Sequence, residues 1–185
     1  MSGQARRGGQ SGGKGGRTIV WGGAAALMLA PAIASRTTDE MAWDRADFIV
    51  FGLMLAAAGG AWEIAMRGTR SPAYAAGATV AAGAALLLFL VNAAVGFIGD
   101  EDNLVNLVFF AVPTLALGGA VIVRFRPDGM ARTMAVTAAA QVAAGGLGVM
   151  LVPDLRGFLV GTALFVPLWL LSSRLFARAA REEAA

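Results

Sequence analysis

Apolar residues gather into six long runs along the chain, at about 18–34, 46–66, 73–98, 104–123, 133–152 and 157–177, divided by short polar stretches that carry Gly, Pro or charge. A helix rises about 1.5 Å per residue, so roughly 20 apolar residues cross a hydrocarbon layer about 30 Å thick. Each run is near or above that length. The expected fold is therefore all-α: an integral membrane bundle of six transmembrane helices with short loops. Short connections leave no room for a separate soluble domain and make consecutive helices antiparallel neighbours. The expected layout is a Gly-rich basic tail over 1–17, a six-helix domain over 18–178 and a C-terminal tail over 179–185. The glycine pairs of the N-terminal tail disfavour a stable helix there.

Boundaries are readable where turn chemistry is present. Ser71-Pro72 places a capping residue before a proline at the first helical position, where its missing N–H does no harm. Pro127-Asp128-Gly129 predicts a tight reversal, and Pro153-Asp154 another at the opposite end. Pro31, Pro113 and Pro167 fall inside apolar runs and predict kinks.

Charge then orients the bundle. With the N-terminus inside, Arg6, Arg7, Lys14, Arg17, Arg67, Arg70, Arg124, Arg126, Arg132, Arg174, Arg178 and Arg181 face the cytoplasm, against only Arg36, Arg45 and Arg156 outside. That bias is what the positive-inside rule requires of six spans with both termini cytoplasmic. The pI near 10.5 thus reflects a cytoplasmic fringe and does not imply a nucleic-acid partner. The first run also imitates a secretory signal ending at Ala32-Ile33-Ala34, but it exceeds the usual apolar core of about 7–15 residues and reads as an uncleaved span. A mature chain starting at Ser35 would leave five spans.

Composition removes several chemistries. Hydrophobic residues make up 57% of the chain and charged ones 15%, below the ~25% of soluble domains. The chain has no Cys and no His, so it lacks the usual ligands of haem and zinc and the usual nucleophile–base pairs. The single lysine, Lys14, lies in the tail and offers no Schiff base inside the bundle. No cofactor and no catalytic residue are expected.

Membrane helices associate through small residues that let backbones approach and through a few polar contacts. Gly52, Ala56 and Gly59 share a helix face with Glu63; Gly77, Ala81 and Ala84 with Asn92; Thr137, Ala138, Gly145 and Gly148 flank Gln141. A core of spans two, three and five is expected, with 86–90 and 168–171 turned partly outward. Glu63 precedes Arg67 by four residues, the favourable order for a helix ion pair; a proton- or substrate-binding carboxylate is the alternative. Asn92 and Gln141 read as interhelical hydrogen bonds or as ligands for a solute, and the Asn106 amide as a cap for the backbone disturbed by Pro113. Trp21, Trp43, Trp62 and Trp169 read as interfacial anchors or packing residues.

The segment 92–106 is unlike apolar filler. It draws two amide-bearing helix ends around Asp100-Glu101-Asp102-Asn103, read as a solvated outer turn that caps the fourth helix, with a hard-cation site completed by Asn oxygens, Asn106 included, as the alternative. Together with 124–132 and the entry Trp43-Asp44 to Asp47-Phe48, it resembles a group of small polytopic bacterial inner-membrane proteins. The likeness spans about 39–178 and implies a plasma-membrane location and no activity.

The expected function is that of a non-catalytic scaffold, accessory or regulatory membrane subunit. Its partners are then the lipid bilayer and another membrane protein or a second copy. The alternative is a small solute or ion transporter whose path runs between helices two to five past Glu63, Asn92, Thr114 and Gln141. Internal repeats, a usual mark of secondary transporters, are not evident between the two halves.

Overall fold

A computed structural model describes residues 11–37, 43–67, 71–98, 103–152 and 155–185. These form α1 (Ser11–Thr37), α2 (Arg45–Met66), α3 (Pro72–Val95), α4 (Leu107–Ile122), α5 (Pro127–Leu151) and α6 (Leu155–Ala184), with a 3₁₀ turn at Leu104–Asn106 leading into α4. Among the described residues there is no strand, and all six helices are long and apolar enough to cross a membrane. The three prolines at 31, 113 and 167 lie inside continuous helices.

The chain divides into two compact units, Met1–Glu63 and Ile64–Ala185. The first is a helical hairpin. Its second helix starts with a reciprocal cap: Asp44 Oδ1 accepts from the Ala46 and Asp47 N–H groups (2.6 and 3.0 Å), and Asp47 Oδ2 accepts from the Asp44 N–H (2.8 Å). Trp43 and Phe48 meet edge-on across this cap at 5.4 Å, the apolar staple that fixes the angle of entry into a helix. The small-residue face of α2 does receive a neighbour, and that neighbour is α1. A methyl group added at Gly52 would come 3.2 Å from Met28, and one at Gly59 3.3 Å from the Trp21 ring. The helix α1 begins at Ser11, inside the stretch expected as tail. Trp62 closes to 3.3 Å of the Cβ position of Gly16, and such tertiary contact overrides the poor helix propensity of glycine.

The second unit is built from α3 to α6. Here α6 packs against both α3 and α5, while α4 lies against α5 and α3. Ser71 caps α3 by accepting from the Tyr74 N–H (3.2 Å), with Pro72 in the first turn, as the sequence predicts. The faces carrying Asn92 and Gln141 are indeed turned inward: Ala84, Asn92, Thr137, Ala138 and Gln141 are all buried. Their shared partner within this unit is α6, a helix that the expected core of spans two, three and five left out. Gly77 sits under Leu175 and Phe176, and Ser172 donates to the Gly77 carbonyl (2.9 Å). Ser173 donates to the Ala131 carbonyl of α5 (2.7 Å). Phe165, Trp169 and Phe176 of α6 are completely buried. Close approach to two helices at once needs small residues on two sides of α6 or opposite it, and both are present: Gly161, Ser172 and Ala179 on α6, Gly77 and Gly145 facing it.

The reversal between α4 and α5 also differs from the expected one. Pro127 opens α5 and Gly129 is already helical. The turn instead occupies Val123–Arg126, where Arg124 and Phe125 take positive φ (53° and 57°). The Phe125 N–H bonds back to the Ala120 carbonyl and the Arg124 N–H to the Val121 carbonyl, the paired pattern that ends helices through a left-handed residue. Proline supplies the fixed φ of a first helical turn, so it displaces the reversal toward the residues before it.

Candidate functional site

Polar groups are buried or gathered at several places among the described residues, and three of these differ in chemistry. The first lies where α3 ends. Gly96 (φ 68°) terminates the helix with its N–H on the Asn92 carbonyl, and the chain then turns inward, so that Phe97 and Ile98 are buried in non-helical conformation. Non-helical backbone in an apolar interior must find partners for its N–H and C=O groups. Asn106 provides them. Its Oδ1 accepts from both the Phe97 and Ile98 N–H groups (2.9 Å each), and its Nδ2 donates to the Ile98 carbonyl (3.2 Å). Asn92 Nδ2 donates in turn to the Asn106 carbonyl (2.9 Å). The Asn106 amide thus serves this inserted segment, not the backbone near Pro113.

Glycines of two other helices make room for the inserted segment. A side chain at Gly157 would coincide with the Phe97 carbonyl oxygen, and one at Gly148 would meet Ile98 at 2.8 Å. The Phe97 ring lies against Phe109 (4.8 Å) and edge-on to Phe165 (5.6 Å). Asn103 accepts from the Val105 N–H (3.0 Å) and so caps the 3₁₀ turn. Asp100, Glu101 and Asp102, the rest of the expected acidic turn, lie outside the described residues. Among the described residues, no group of three acidic side chains is placed to hold a metal ion.

The second place is the interface of α5 and α6. Gln141 is completely buried, and both its Oε1 and Nε2 lack a hydrogen-bond partner, so the expected interhelical bond is not made. On α6, Thr162 Oγ1 and Trp169 Nε1 are buried and unpartnered as well. The sequence reading passed over Thr162. Its only trace there is a position next to Gly161 in a small-residue stretch.

Glu63 belongs to the first unit, and Thr114 to another side of α4. Glu63, at the end of the first unit, pairs with Arg17 of α1 (3.2 Å) and accepts from the Trp21 indole N–H (3.2 Å). The i,i+4 spacing to Arg67 is visible in the sequence, whereas partners on α1 need the tertiary fold. Arg67 follows α2, its N–H bonded to the Ile64 carbonyl (3.1 Å). Thr114 lies on the exposed side of α4 and its hydroxyl turns back to the Phe110 carbonyl (2.8 Å). It is therefore not turned inward with Asn92 and Gln141, as a common path would need.

The third place is at the opposite end of α4 and α5 from the Asn106 segment. A groove of about 690 Å³ runs between the two helices, with Leu115, Ile122 and Val136 along it, Gly119 and Thr133 at its base, and Arg124, Arg126, Asp128 and Arg132 at its mouth. Arg132 lies 3.9 Å from Asp128, a long and solvent-exposed pair of the kind that adds little. Arg126 begins α5 without a side-chain cap. The Phe125 carbonyl accepts from the Tyr74 hydroxyl (2.6 Å), which ties this reversal to α3.

Comparison of the chain with protein-family models, with curated proteins and with solved structures gives no match.

Proposed function

We propose that the protein is a six-span plasma-membrane protein of bacterial type, with both termini cytoplasmic, that acts as a non-catalytic accessory or scaffold subunit. The observation that carries this reading is where the buried polar side chains of α3 to α6 direct their hydrogen bonds. Asn92, Asn106, Ser172 and Thr137 all bond to main-chain groups of the fold itself. Side chains spent on their own backbone hold a shape; they are not aligned along a path or against a substrate. Meanwhile α1 is apolar enough to span, yet Pro31 is the only buried residue among its described side chains. Such a helix offers its length to lipid or to a partner.

Affinity purification of the full chain in mild detergent tests the reading. A membrane protein recovered in fixed stoichiometry, or a defined oligomer by light scattering, is the expected result; a monodisperse monomer with no companion counts against it. Orientation is tested with single cysteines, which the natural chain lacks: residues 100 and 126 should label from opposite sides of the membrane.

A transport role is the second reading, and the Gln141 amide is the observation in its favour. A buried amide with two unmet hydrogen-bonding atoms is costly unless something uses it. Solute flux through reconstituted protein, abolished by Gln141→Leu and retained in Thr114→Val, would support transport over scaffolding.

A further inference from the structure

We propose that the groove between α4 and α5 binds one anionic diacyl phospholipid, its phosphate among Arg124, Arg126 and Arg132 and one acyl chain along Leu115, Ile122 and Val136. The inference rests on the reading above that these helices cross a bilayer with this end at the cytoplasmic leaflet.

The two parts of the groove ask for two chemistries in one molecule. Its walls are apolar and open: Ile122 is 81% exposed, Val136 56% and Leu115 40%. Its mouth holds three guanidinium groups against one carboxylate, Asp128. Among the described residues, Arg124 and Arg126 have no acidic partner. An aqueous anion would answer the arginines and leave the walls bare, while a hydrocarbon chain alone would do the reverse. A phosphodiester joined to an acyl chain answers both, and guanidinium groups bind phosphate oxygens in fork geometry. A zwitterionic lipid would bring a second cation to the arginines, so a net negative headgroup fits better.

Length agrees with charge. From Arg126 to Val136 the rise along α5 is about 15 Å, which is half of a hydrocarbon layer about 30 Å thick and thus the depth of one leaflet. The groove is also fixed in place. Gly119 lets α4 and α5 touch at its base through Thr133, and Gly129 does the same against Val123. Arg124 holds its place on the rim by taking a left-handed conformation that arginine seldom adopts.

The test uses full-length protein in detergent, titrated with dioleoylphosphatidylglycerol or dioleoylphosphatidylcholine and examined by native mass spectrometry. Phosphatidylglycerol should bind about tenfold more tightly than phosphatidylcholine, the scale set by one or two basic contacts with an anionic headgroup. The double substitution Arg124→Gln with Arg126→Gln should remove that preference. Val136→Trp, which fills the groove and leaves every charge in place, should weaken both lipids. Arg174→Gln, an exposed arginine of α6 outside the groove, should change neither.

The proposal is overturned if Arg174→Gln costs as much as the double substitution, since the lipid would then see only a basic fringe. It is also overturned if Val136→Trp has no effect, or if millimolar inorganic phosphate displaces phosphatidylglycerol. Val136→Trp keeps the test decisive should the double variant misfold. Resistance to carbonate extraction is measured alongside. A chain that carbonate strips from membranes sinks the membrane reading itself, whereas a resistant chain without lipid preference sinks only the groove.

Discussion

The two reversals of the second unit, at opposite ends of α4, solve the same backbone problem in opposite ways. At one end the chain dips inward, and its bare N–H and C=O groups are met by two buried asparagines, with glycines on α5 and α6 giving way. At the other end the chain turns outward in four residues, closes its own carbonyls through left-handed Arg124 and Phe125, and leaves its charged side chains exposed. Water or headgroups can satisfy what an exposed turn leaves open, so strain is tolerable there. A buried turn has no such recourse and must be provided with amides. The difference teaches that 96–98 is specified by side-chain chemistry far along the sequence, while 123–126 is specified by the geometry of proline and two helix ends.

Substitutions can break this contrast, and the largest effect is expected at Gly157. Gly157→Ala places a carbon on the Phe97 carbonyl oxygen; since backbone cannot yield as a flexible side chain does, the inserted segment must be expelled. The thermal transition in detergent should drop beyond recognition or folded protein should not be recovered. A variant melting like the parent would mean that 96–98 is not seated inside the unit.

Asn106→Ala comes next. It strands two buried N–H groups, each at a cost of about 1–3 kcal/mol, besides orphaning the Ile98 carbonyl. Asn92→Ala removes one donor to one carbonyl and should cost about 1–3 kcal/mol. If denaturation in a mixed micelle ranks Asn92 above Asn106, the inserted segment is held from α3 and not from the start of α4.

At the exposed end the effects should be smaller. Tyr74→Phe deletes the hydroxyl that ties Phe125 to α3 and should cost about 0.5–1.5 kcal/mol, the usual net worth of one hydrogen bond. The sign then reverses for Arg124→Gly. Relief of a left-handed conformation returns about 1–2 kcal/mol, and the added freedom of glycine in the unfolded chain takes back roughly 0.5–1 kcal/mol. The variant should therefore be as stable or more stable, by up to about 1.5 kcal/mol, while binding phosphatidylglycerol more weakly. A clear destabilisation would mean that the arginine side chain itself holds the reversal.

Much of the local structure was legible from residue order. Ser71-Pro72 starts α3 because a hydroxyl and a fixed φ act within one turn. Asp44 and Asp47 start α2 for the same local reason. Small residues repeating at helical spacing showed which faces of α2, α3 and α5 would be covered, though not by what. The reversal after α4 was misplaced by a few residues, because Pro-Asp-Gly suits both a turn and a helix start and only the neighbouring Val123 and Tyr74 choose between them. Of the candidate site residues, Asn92 and Gln141 lie buried on the faces expected to turn inward, whereas Asn106, expected in the outer turn or as a cap near Pro113, is buried as well. The partners of Glu63 on α1, Arg17 and Trp21, are not legible in residue order, and the arginines of the groove were counted only as topology signals, since a groove exists only once two helices cross.

By itself the sequence determined six apolar helices, the capped start of α3, the exclusion of histidine and cysteine chemistry, and the covered faces of three helices, because helical periodicity and capping act over fewer than ten residues. Tertiary structure alone decided that α6 is the helix both α3 and α5 close upon, that Asn106 serves a segment eight residues before it, and that the arginines of one reversal stand over an apolar groove. Those facts depend on distances between parts of the chain that residue order does not encode, and packing chooses among many arrangements that the same apolar pattern would permit.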